Sequence, residues 1–108
     1  MALGATLYTG TTPTFTLTFE GVDFTITTDI IVTFTDPAKN VVLELEGDQL
    51  TVGEKTIEFA LTQAQTLAMP RTVLLQANWT YDNGGQRACS NTVQITFADN
   101  LHQEVMTR

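Results

Sequence analysis

The chain has 108 residues, 43% of them hydrophobic, with five Lys and Arg against twelve Asp and Glu and a formal charge of −7. That length makes one domain and excludes two, and it suffices for a core without metal or disulfide staples. A negative chain without a basic stripe repels phosphate backbones, so no nucleic-acid partner is expected, and no apolar run nears the eighteen residues of a membrane span.

Threonine accounts for 21 of the 108 residues. Its β-branched side chain suits a pleated, half-wet surface, which predicts strands throughout. The opening "MALGATLYTGTTPTF" has neither a basic stretch nor a continuous apolar one, so no signal peptide is expected there. A lone cysteine, Cys89, forms no internal bridge and fits a reducing compartment.

Period-two alternation predicts the strands in chain order. Phe15, Leu17 and Phe19 alternate with threonines, and Phe24 and Ile26 open a second strand. Ile30, Val32 and Phe34 face inward opposite Ile31, Thr33 and Thr35. "DPAKN" (36–40) is a turn in which Pro37 presets φ. Val41, Leu43 and Leu45 resume the inward face opposite Val42, Glu44 and Glu46, followed by Leu50 and Val52 and then Ile57, Phe59 and Leu61.

The period then changes. Thr62 and Gln65 have the spacing of a capping box and Pro70 stops continuation, predicting a helical turn at about 63–68, with Leu67 or Met69 plugging the core end. Val73, Leu75, Ala77, Trp79 and Tyr81 share one face of the next strand. Val93, Ile95 and Phe97 form its partner across "DNGGQR", whose Asn-Gly and Gly-Gly steps suit a hairpin. The expected fold is all-β: an immunoglobulin-like antiparallel β-sandwich of about seven strands with one short helical turn. Residues 1–12 read as an N-terminal arm, 13–98 as the domain and 99–108 as a tail.

The groups able to do chemistry crowd into "WTYDNGGQRACSNTVQITF" (79–97): Asp82, Asn83, Arg87, Cys89 and Ser90. Nucleophilic catalysis needs a base beside the nucleophile, and the one histidine, His102, lies in the tail. Cys89 shares parity with Val93 and reads as a small buried hydrophobe, although Arg87 two positions away would favour a thiolate. Glu44, Glu46 and Asp48 recur at every second position, the pattern of an edge strand kept soluble by charge rather than a calcium loop. "NWT" (78–80) matches a glycosylation sequon by coincidence, lying mid-strand. Trp79 and Tyr81 share the inward face and read as core rather than as a sugar platform. No catalytic, cofactor-binding or metal-binding residue is assigned, no cofactor is expected, and the chain is not expected to be an enzyme.

"GTTPTFTLTF", "FALTQAQTL" and "SNTVQITFADNLHQEVM" together carry a family resemblance, from about Gly10 to Met106. The chain resembles small proteins of about a hundred residues encoded in phages and prophages of gut Firmicutes, similar to the immunoglobulin-like N-terminal domain of phage baseplate upper proteins. That family usually carries an acidic pair after the Thr-Gln of the helical turn, where this chain has Ala64 and Gln65. The resemblance implies a virion structural module of a tail, baseplate or head fibre, made in the host bacterial cytoplasm and then built into the virion. Its expected partners are other phage structural proteins, with self-association into a homo-oligomer as a further expectation. Residues 1–13 and the "LHQEVM" tail are the expected contact segments. The alternative is a receptor- or glycan-binding module using exposed loops such as 82–87.

Overall fold

A computed structural model of the protein describes residues 5–19, 21, 24, 27–81, 85–101 and 105–106. Among these residues nine strands and one α-helix follow in chain order: β1 Ala5–Tyr8, β2 Thr14–Thr18, β3 Thr27–Thr35, β4 Val41–Glu46, β5 Thr51–Val52, β6 Thr56–Ala60, α1 Gln63–Leu67, β7 Thr72–Tyr81, β8 Gln86–Cys89 and β9 Val93–Ala98. The larger sheet has the order β1-β9-β7-β3-β4, with β8 also on β7, and the smaller has β2-β6-β5. This is the expected immunoglobulin-like sandwich, with non-sequential strands brought together in each sheet. One pairing departs from the antiparallel expectation: β1 runs parallel to β9, Ala5 opposite Ile95 and Tyr8 opposite Ala98. Part of the stretch set apart by its lack of alternation, 5–8, is thus a strand of the domain itself. No helix among the described residues is long and apolar enough to cross a membrane.

The predicted inward faces form the core. Val32, Phe34, Leu45, Ile57, Phe59, Leu61, Val73, Leu75, Ala77, Trp79, Ile95 and Phe97 are all buried. Phe15 stacks on Phe59 at 5.1 Å between centroids, while Phe34 meets Phe59 edge-on at 6.0 Å, joining the two sheets. Phe24 is buried as well, but β3 starts at Thr27, and Ile26 lies outside the described residues.

Two inward expectations are corrected. Val41 is 58% exposed because the β3–β4 register shifts between Phe34 and Thr35, leaving Val42 as an extra residue that reverses parity. Val52 is exposed, lying on β5, a two-residue strand that ends the smaller sheet among the described residues.

The "DPAKN" turn forms as expected. Lys39 N–H donates to the Asp36 carbonyl at 2.9 Å, and the Asp36 carboxylate accepts from the backbone and side-chain amides of Asn40 at 2.9 and 3.1 Å. Those bonds, the backbone one first, hold the Asp36 carboxyl below its ordinary value. Their stabilisation is present above the ordinary carboxylate range and lost as pH falls through the lowered value. Lys39 itself has φ +73°, a left-handed conformation that L side chains adopt at a cost. Lys39→Gly is therefore expected to raise stability by about 0.5–1 kcal/mol, after glycine's extra chain entropy is offset. The check is a urea midpoint that rises at unchanged slope; a fall would mean the lysine side chain holds the turn.

Helix α1 occupies the predicted place. Gln65 N–H donates to Thr62 Oγ1 at 3.1 Å and Thr62 N–H donates to Gln65 Oε1 at 2.8 Å, so both halves of the capping box form. Met69 is buried and plugs the core end, while Leu67 stays half-buried.

Candidate functional site

Across the predicted turn β7 pairs first with an unpredicted strand, β8, with Trp79 opposite Ala88 and Asn78 opposite Cys89. Further along β7, Leu75 lies opposite Val93 of β9. From Asn78 to Leu75 is three steps and from Cys89 to Val93 is four. One extra residue therefore bulges out between β8 and β9, which together act as one interrupted strand.

Ser90 makes the interruption cheap. Its N–H donates to the Ala77 carbonyl at 2.9 Å, and its Oγ accepts from Ala77 N–H at 3.0 Å in place of a backbone carbonyl. The Gln76 amide donates to the Ser90 carbonyl at 2.9 Å. Ala77, fully buried, keeps both backbone groups satisfied across the break.

The bulge corrects the reading of Cys89. Parity carried back from Val93 predicts a buried thiol, whereas the extra residue turns Ala88 toward the core and leaves Cys89 exposed. In the native protein, a thiol reagent such as dithionitrobenzoate is expected to titrate one equivalent at nearly the rate seen in denaturant. A thiol that reacts only after unfolding would restore the buried reading.

Arg87, two residues before Cys89 on β8, turns to Asn78 instead. Its Nε and Nη2 donate to Asn78 Oδ1 at 3.2 and 3.1 Å. Asp82, Asn83 and His102 lie outside the described residues. Among the described residues no group of three or more His, Cys, Asp or Glu is placed to hold a metal. Glu44 and Glu46 project from β4, which ends the larger sheet as the charge pattern predicts, while Asp48 falls in the 3-10 turn Gly47–Gln49 beyond it. Trp79 and Tyr81 face inward, Trp79 only 6% exposed.

The described residues line several concavities. A hollow of about 630 Å³ lies on the outer face of the larger sheet, lined by residues including Ile31, Thr33, Glu44, Glu46, Asn78 and Arg87. A cleft of about 600 Å³ opens between β2 and the β8–β9 strand, with Leu17, Phe19, Leu75, Trp79 and Val93 on its walls and Cys89 among its lining. A groove of about 250 Å³ runs between the start of β4 and α1, lined by Val42, Leu43, Ala64, Gln65, Ala68 and Met69. These surfaces offer hydrogen-bonding edges and apolar walls, which suit binding a chain.

Sequence reasoning missed the role of Gln63. Its amide donates to the Met106 carbonyl at 2.7 Å and accepts from Met106 N–H at 2.6 Å, holding the tail to α1 as a neighbouring strand would. Glutamine beside a cap gives no hint of a partner 43 residues on. Gln63→Ala is expected to speed hydrogen exchange at the Met106 amide at least tenfold while β7 and β9 stay protected. Unchanged exchange would mean other contacts hold the tail.

No protein-family model matches the chain, and no curated protein matches it in sequence.

Proposed function

We propose that the chain is a non-enzymatic structural module of a phage or prophage virion, a tail, baseplate or head-fibre component that works by assembling with other particle proteins. One observation carries this reading: β2 and β4 each end a sheet, and each lies beside an apolar concavity. A strand edge presents unpaired N–H and C=O groups to a neighbouring chain, and the apolar wall beside it supplies burial. The family resemblance of the three motifs supports the same reading. Because Ala5–Tyr8 pairs within its own domain, the expected contacts shift from an N-terminal arm to these edges.

The test is a particle preparation from an induced source strain, banded on a density gradient. Trypsin cleavage at Arg71 and Arg87 releases "TVLLQANWTYDNGGQR", identifiable by mass spectrometry. Stoichiometric co-sedimentation with capsid or tail proteins is the expected result; recovery from the soluble fraction alone would overturn the assignment to the virion.

Receptor or glycan binding is the second reading, favoured by the polar groups of Thr33, Glu44, Asn78 and Arg87 around the outer hollow. It predicts saturable signals on a glycan array.

A further inference from the structure

We propose that the β4 edge, Val41–Glu46, accepts an extended segment of another particle protein bearing Lys or Arg at alternate positions, which adds to the larger sheet as a further strand. The inference rests on the assembly reading and specifies the partner's chemistry.

Among the described residues nothing pairs with the outer side of this edge, and it is long enough to template a strand. Five of its six residues pair on one side with β3, Val42 bulging between them, and the strand ends the sheet on the other. Leu43 and Leu45 anchor it to the core, which fixes which side chains point outward. Outward stand Glu44 and Glu46, and across β3 they meet Thr33 and Ile31 rather than a cation. Thr33 Oγ1 donates to Glu44 Oε2 at 3.0 Å, and the nearby guanidinium of Arg87 is turned to Asn78. Among the described residues, cross-strand pairing within the sheet therefore leaves both carboxylates without an opposite charge.

That arrangement discriminates among occupants. A second copy laid antiparallel on β4 would bring Glu44 and Glu46 against the same carboxylates, and two chains of −7 repel in any case. A strand with basic residues at i and i+2 would instead place a cation opposite each glutamate. At the other end of β4 the character changes to apolar. Val41 and Val42 are 58% and 40% exposed, and the groove beside Val42 is walled by Ala64 and Ala68. The complementary segment thus has two basic positions spaced by two, with an apolar residue two positions further on to reach the bulged Val42 and its groove. A basic-only segment would leave the groove unfilled, and an apolar-only segment would leave the carboxylates unpaired.

The test uses the whole chain and four fluorescein-labelled peptides. TKTKTVT and TVTKTKT present the pattern in the two strand directions, and TETETVT and TVTETET are their acidic counterparts. Anisotropy titration at low salt is expected to show saturable binding of at least one basic peptide and of neither acidic one. Hydrogen exchange should slow in residues 41–46 when it binds. The E44K/E46K variant is expected to weaken that peptide at least tenfold and to gain binding of the matching acidic peptide. The E54K/D99K variant makes the same change in net charge at exposed positions off β4, and it should bind as the wild type does. Equal loss in both variants would overturn the site in favour of general charge attraction, as would no binding or protection elsewhere. These failures remain separate from the virion reading: co-sedimentation with particles together with an inert β4 edge would sink this inference alone.

Discussion

Trp79→Ala is expected to cost about 3–5 kcal/mol of folding stability, a large part of what a domain of this size possesses. The indole lies 5.2 Å from the Phe19 ring and 5.3 Å from the Phe24 ring, and those two are 5.2 Å apart. All three contacts are edge-to-face, the arrangement aromatic quadrupoles favour, so each ring supports the other two. Phe19 follows β2 and Trp79 belongs to β7, so the cluster ties the smaller sheet to the larger beside the lateral cleft. Truncation would open that cleft into the core. Because Trp79 is the sole tryptophan, the variant is followed by far-ultraviolet circular dichroism in urea rather than by indole fluorescence. Trp79→Phe, which keeps a ring in the cluster, should lose much less. A loss below about 1 kcal/mol for the alanine variant would mean that the cavity collapses and the cluster does not hold the sheets together.

The second large effect belongs to a polar side chain. Thr66 is 0% exposed, and its hydroxyl donates to the Thr11 carbonyl at 2.8 Å, with the Gln63 carbonyl at 3.2 Å. This one group fastens α1 to the segment between β1 and β2. Thr66→Val keeps the shape and removes the donor, leaving the Thr11 carbonyl without that bond. The expected loss is about 1–3 kcal/mol, the cost of an unmet buried hydrogen-bonding group. Thr66→Ser keeps the hydroxyl and gives up one methyl, so it should lose less than valine does. If valine proves as stable as threonine, packing rather than the hydroxyl holds α1 in place.

These elements differ in how far the sequence announces them. Strand β7 is legible because five inward side chains repeat with period two over ten residues, and burial follows that period. The helix is legible because its cap is local, both partners lying within three residues. Thr66 is not, since nothing in a helical turn rich in Gln and Thr shows which hydroxyl meets a carbonyl 55 residues earlier. Cys89 misleads because parity assumes an unbroken strand, and here a serine hydroxyl stands in for a backbone carbonyl and lets the break occur. One signal was present: Ala88 and Val93, both apolar, are separated by an odd number of steps, so both face the core only if a residue is inserted. Glu44 and Glu46 declare an edge by charge, as they should. The apolar groove beside them required the third dimension, because Ala64 and Ala68 come from a different part of the chain.

The pairing of β1 with β9 sets a timetable for synthesis. Ala5 lies beside Ile95, ninety residues later, and Thr9 extends the link through its N–H to the Ala98 carbonyl at 3.0 Å. At about 5–20 residues per second, a ribosome needs on the order of 5–20 s between making the first strand and making its neighbour. Through that interval β1 has no native partner, and the core it helps cover is assembled without it. The domain therefore closes only after its last strand leaves the ribosome, and a transcript truncated before Val93 would release a chain with two vacant places in its larger sheet.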